Sequence, residues 1–132
     1  MRITIAKDAG YCFGVRDAVN MAYDAADKNG NVYMLGSIVH NEKVVDDLKN
    51  AGAKIVRNLS DVPNGSPILF RAHETFNSLW EEANTKNMKI IDATCPLVYE
   101  IHHEVKRLAE DGRQIIVIGD HGHDEVIAIA NQ

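Results

Sequence analysis

Two hydrophobic periods alternate along this chain of 132 residues. Short apolar runs at residues 2–5, 32–35, 53–56, 67–70, 89–92 and 114–118 predict six β-strands. Pro67 is tolerable as the first residue of its strand. The run at 114–118 is almost wholly apolar, which predicts a central strand buried on both faces. Between these runs the period changes to that of a helix. Val15, Ala18, Val19, Ala22 and Ala26 share one helical face, and Gly30 supplies the stop. A shorter helix turns Val44, Val45 and Leu48 inward and ends at Gly52. Thr75 or Asn77 caps a third, which carries Leu79, Trp80 and Ala83. Pro96 opens a fourth that is expected to bury Val98, Ile101, Val105 and Leu108 before Gly112, and a last helix runs from about Asp124. Residues 61–66 are turn chemistry.

Strands alternating with helices at this spacing mean βα units, mostly parallel sheets and the α/β class. The pattern restarts near Met88. A first lobe over residues 1–88 and an incomplete second lobe over 89–132 are therefore expected, with nothing after the last helix to close the second sheet. Ligands in such folds bind beyond the carboxyl ends of the strands. Cys12, His40, His73, Cys95 and His123 each follow a predicted strand there. All five are expected to face one cleft.

Composition narrows the classes. Hydrophobic residues at 45% and charged residues at 25% are ordinary for a globular protein, so disorder is excluded. A net charge of −5 argues against nucleic acid, which needs a basic face. It leaves room for a small anion held by histidines and helix N-termini. No run approaches the roughly 20 apolar residues of a membrane span, and no signal-peptide core follows Met1. Two cysteines without an export signal point to the cytoplasm and away from a structural disulfide.

Both cysteines sit where an apolar run gives way to a helix. Unpaired N–H groups and the helix dipole there favour the thiolate, the form that binds metal or attacks. The residues alone leave ligand, nucleophile and small core hydrophobe open for each. His102 and His103 are explained by a solvated or half-buried helix face, His121 by a loop, Glu125 by dipole complementation and Trp80 by the core. The stretch Gly119-Asp120-His121-Gly122 is too degenerate for a phosphate loop. Spacing supports a ligand-lined cleft and nothing finer.

A resemblance adds more. Ala9-Gly10-Tyr11-Cys12-Phe13-Gly14-Val15, Gly36-Ser37-Ile38-Val39-His40-Asn41 followed by Val44, Ala72-His73, Asp92-Ala93-Thr94-Cys95-Pro96-Leu97-Val98, and Gly119 with His123-Asp124-Glu125-Val126 stand in an ordered set. The set resembles the N-terminal part of the 4-hydroxy-3-methylbut-2-enyl diphosphate reductase family, of the non-mevalonate isoprenoid route. The resemblance implies a three-lobed α/β protein around a [4Fe-4S] cluster held by three cysteines, with one iron open to the substrate's hydroxyl. Cys12 and Cys95 match the first two cluster ligands. His40, His73 and His123 match the histidines around the substrate and its diphosphate, and Glu125 matches the acid that relays protons. The implied activity is that of an oxidoreductase, reductive dehydroxylation to isopentenyl and dimethylallyl diphosphate. The electron donor would be one such as a ferredoxin or flavodoxin. Thiolates, an open iron and a carboxyl group suit that chemistry.

The departures set further expectations. The family's third cysteine, further substrate contacts and third lobe lie beyond Gln132, and residues 1–7 could pair with that lobe. Arg71 and Glu74 stand where the family usually has serine and glycine, and Asp124 where it has proline. Two thiolates do not hold the cluster alone, so this chain is expected to be an incomplete part of the enzyme, inactive by itself. Uncovered apolar faces should drive self-association or take up the missing C-terminal part. The alternatives are a non-catalytic module binding a metal, a phosphate ligand or a protein partner, and a cysteine–histidine zinc site.

Overall fold

The computed structural model describes residues 1–7, 9–71 and 77–131. Of the six apolar runs, the four between residues 32 and 92 find one another. They form β1 (Val32–Leu35), β2 (Ala53–Val56), β3 (Pro67–Phe70) and β4 (Lys89–Asp92), a wholly parallel sheet in the order β2-β1-β3-β4. The intervening helices are α1 (Phe13–Asn29), α2 (Glu42–Asn50), α3 (Asn77–Thr85), α4 (Pro96–Glu110) and α5 (Asp124–Ala130), with a 3-10 turn at Leu59–Asp61. The α/β expectation is met.

Alternation along each strand divides the core into two layers. Val32, Met34, Ala53, Ile55, Leu69 and Ile91 meet α1 and α2 on one face. Alanines make the α1 surface: Ala18, Ala22, Ala25 and Ala26 are all buried, which lets the helix lie close to the sheet. Gly30 ends it in the left-handed conformation at φ 68°, its N–H bonded to the Ala26 carbonyl. On the other face Tyr33, Leu35, Val56, Ile68, Phe70 and Ile90 pack against Leu59, Val62, Leu79, Trp80, Ala83 and Met88. Trp80 meets Phe70 edge to face at 5.2 Å, the preferred geometry for an aromatic pair.

The two outer runs behave differently. Residues 2–5 and 114–118 are not strands and pair with none among the described residues. Ile3, Ile5, Ile116 and Ile118 are exposed, Ile118 by 92%. A strand needs a neighbour to take its backbone N–H and C=O groups, and apolar character alone does not supply one. The expected central, doubly buried strand at 114–118 is therefore overturned. The stripe on α4 goes with it. No residue of α4 is buried and Ile101 is 47% exposed. The helix instead leans on α5, with Val105, Ala109, Ile115, Val117 and Ile129 around an open cavity of about 530 Å³. No helix of the described residues is long and apolar enough to cross a membrane.

The chain leaves β1 for β2 on one side, then returns to place β3 and β4 on the other. The connections diverge between β1 and β3, and a crevice opens above their carboxyl ends. β4 lies just past the boundary expected near Met88 and pairs with β3 from Pro67–Lys89 to Phe70–Asp92.

Candidate functional site

The crevice is built from three directions. After β1, Gly36 turns the chain at φ 76° and buried Ile38 and Val39 anchor the loop, leaving His40 exposed at its tip. Asn41 fixes the following helix by accepting the Val44 N–H at 3.1 Å. After β3, Arg71 extends over Gly36; a Cβ there would lie 3.0 Å from Nη1. From α5 come His123, its N-cap, and half-buried Glu125. Ser37, His40, Arg71, His123 and Glu125 line one cavity of about 120 Å³. His123 Nδ1 accepts the Glu125 N–H at 3.3 Å, which puts the proton of the neutral ring on Nε2, free to be donated. The cavity thus combines a guanidinium, imidazole donors and a carboxyl group, a set able to hold an anion and move a proton. His73 lies outside the described residues.

Both cysteines stand at helix N-termini. Cys12 is the N-cap residue of α1, exposed, and Cys95 that of α4, half-buried with Pro96 behind it. Asp92 sets the Cys95 loop. Its Oδ1 accepts the Thr94 N–H at 3.0 Å and its Oδ2 accepts the Tyr99 hydroxyl at 2.6 Å, tying the loop to α4. Partial desolvation of the half-exposed ring, and then that bond to Asp92, raise the Tyr99 phenol above its ordinary value. The Cys95 sulfur rests against the first turn of α1. A Cβ on Gly14 would lie 2.5 Å from Sγ and 3.1 Å from the Cys95 Cβ. Gly14 is buried and inside the helix, two residues past Cys12, so the two cysteine-bearing segments are held together by the absence of a side chain. Both thiols are free.

Two thiols at converging helix N-termini fit an iron–sulfur or zinc centre in kind. They are short in number, because no group of three potential ligands forms among the described residues. The five expected ligands also do not all follow strands. Cys12 and His123 reach this edge at the starts of α1 and α5. Neither cysteine is among the described residues lining the histidine cavity.

The place of one residue in the site escaped the sequence reading. Arg71 stands one position past a predicted strand, where a signal existed, but its place in the crevice needs the strand order. His102, read as a half-buried helix face, is half-buried. Its Nε2 is buried without a hydrogen-bond partner among the described residues. Burial foremost, and then Lys106, lower its pKa. It shares a cavity of about 90 Å³ with Glu125.

Known proteins resemble this chain in sequence and fold. The chain matches the family described as LytB protein over residues 3–132. It belongs to that family. Relatives of this LytB chain include the 4-hydroxy-3-methylbut-2-enyl diphosphate reductases of Clostridioides difficile and Geobacter sulfurreducens. The first is 42% identical over 130 residues, covering 98% of the chain and 47% of the relative; the second is 40% identical over 131 residues, covering 99% and 46%. Among solved structures, the E-1-hydroxy-2-methyl-but-2-enyl-4-diphosphate reductase from Plasmodium falciparum superposes with a TM-score of 0.89 at 35% identity. That match spans 95% of this chain and 40% of the other. A second structure, described as the terminal enzyme of the non-mevalonate pathway, gives 0.83 at 36% identity over 97% and 46%. The LytB chain spans less than half the length of these relatives.

Proposed function

We propose that this LytB-family chain is the N-terminal part of a 4-hydroxy-3-methylbut-2-enyl diphosphate reductase. The reaction removes the allylic hydroxyl: two electrons and two protons enter, water leaves, and isopentenyl and dimethylallyl diphosphate result. One observation carries the reading. The crevice between β1 and β3 gathers His40, His123 and Glu125 at one small cavity, in a chain whose relatives bear this name. His40 and His123 donate N–H groups to the diphosphate, and His73 belongs to the same set by its motif. Glu125 delivers a proton to the reacting end. Cys12 and Cys95 hold two corners of a [4Fe-4S] cluster, which when bound supplies electrons and a Lewis-acidic iron. Only two cysteines occur in the chain, so the third ligand comes from further polypeptide.

The same proposal covers organisation and partners. Residues 1–88 are the first lobe and residues 89–132 an incomplete second, with β4 tying one to the other. The exposed isoleucines near residues 3–5 and 116–118 seat the remaining C-terminal part, or a second copy when that part is missing. The protein works in the cytoplasm and takes electrons from a donor such as a ferredoxin or flavodoxin.

The test is anaerobic turnover of the substrate with a strong artificial reductant, after reconstitution with iron and sulfide. The chain alone should hold little stable cluster and show no turnover. The C-terminal part of the Clostridioides difficile relative, supplied in trans, should restore both. Glu125→Gln in the restored enzyme should then cost about 100-fold in kcat. A restored cluster without turnover would favour the non-catalytic module instead.

A further inference from the structure

We infer that Arg71 is a substrate-binding residue of this crevice, its guanidinium taking oxygens of the diphosphate group. The inference rests on the reading above, and it goes further by naming the fixed positive charge of the site. Arg71 is the first residue after β3, and Phe70 before it is locked in the core at 1% exposure. The backbone that carries the guanidinium thus follows directly on a strand end anchored in the core. The side chain is held over the crevice by Gly36, where a Cβ would stand 3.0 Å from Nη1, 3.2 Å from Cζ and 3.4 Å from Nε. Gly36 also has φ 76°, so the turn favours a residue without a side chain, and its bare backbone leaves the guanidinium room to lie across it.

Charge gives this placement its meaning. Among the described residues lining the cavity, Arg71 is the one that is positive at every working pH. His123 spends Nδ1 on accepting a backbone N–H, so its ring donates as a neutral imidazole. Glu125 contributes a negative charge when ionised. A multiply charged anion held by imidazoles beside a carboxylate would be poorly neutralised without the guanidinium. Arginine carries five N–H donors in a planar fork that matches paired phosphate oxygens. It can serve one protein acceptor and still present a pair to the ligand.

The test uses inorganic diphosphate as the probe and the whole 132-residue chain, by calorimetry and phosphorus NMR at low ionic strength. Arg71→Ser should weaken binding roughly tenfold or more, the loss expected for charged hydrogen bonds. Arg71→Lys, which keeps the charge and loses the fork, should fall between serine and wild type. It also serves if the serine variant folds poorly. Arg113→Ser removes the same charge from an exposed position elsewhere and should change affinity less than about twofold. Undiminished binding by both Arg71 variants would overturn the inference and leave the crevice reading standing, with the guanidinium only a packing group on Gly36. Absence of diphosphate binding by the wild-type chain would overturn the crevice reading, and the inference with it.

Discussion

Replacing Gly14 by alanine sets two effects of opposite sign against each other. Alanine is the better helix former by at most about 1 kcal/mol, less in a first turn. The new methyl group, however, would stand 2.5 Å from the Cys95 sulfur and 3.1 Å from its Cβ. Overpacking of that kind costs about 1–3 kcal/mol. The steric effect wins, and Gly14→Ala should destabilise by about 1–2 kcal/mol. The sign should reverse once the sulfur is gone. In a Cys95→Ala background only the 3.1 Å contact remains, and Gly14→Ala should be neutral or slightly stabilising. Urea unfolding of the four proteins of this cycle reads a coupling of about 1–2 kcal/mol. Equal effects of Gly14→Ala in both backgrounds would refute the claim that the sulfur is what excludes a side chain there.

Other outcomes follow from single groups. The Tyr99 phenol, raised by partial desolvation and by Asp92, keeps its proton to higher pH in the folded chain than in the unfolded one. Its contribution is complete below the ordinary value of 10.0 and is lost as pH rises through the folded value. Tyr99→Phe should therefore flatten the fall in urea midpoint between about pH 9 and 11, and an unchanged slope would count against the Asp92 bond. His102 carries a buried Nε2 without a partner among the described residues. His102→Leu should stabilise by about 1 kcal/mol at neutral pH. Because burial, and secondarily Lys106, lower the His102 pKa from 6.5, the wild type should lose stability as pH falls from there through the folded value, and the leucine variant less. A destabilised leucine variant would contradict the unsatisfied nitrogen.

The strands from 32 to 92 were legible because each apolar run has its partner within the chain. Residues 2–5 and 114–118 read just as apolar, yet pairing is a non-local property that no window of sequence contains. The stripe on α4 failed for the same reason, since Ile101 and its neighbours need something to cover them. His40 and Cys95 could be placed at the carboxyl edge by counting from their strands. Cys12 and His123 arrive there through the starts of α1 and α5 instead. Gly14 was visible only as part of the Cys12 motif, and the sulfur that packs against it comes from the loop after β4. Arg71 became interpretable only when the order β2-β1-β3-β4 placed its loop opposite that of His40.

The parallel sheet also separates two kinds of loop. The loops that carry His40, Arg71 and Cys95 leave carboxyl ends of strands, whereas the turns at the amino ends are joined by backbone bonds. Val32 N–H reaches the Gly52 carbonyl at 3.4 Å, Gly65 N–H the Lys86 carbonyl at 3.0 Å and Lys89 N–H the Ser66 carbonyl at 3.0 Å. Those turns carry none of the donors or thiols of the crevice. They are accordingly the place to engineer. A fluorophore or an affinity loop installed at exposed Asn64 sits on the far edge from Arg71, His40 and Cys95. It can report on ligand capture or on docking of further polypeptide without entering either event.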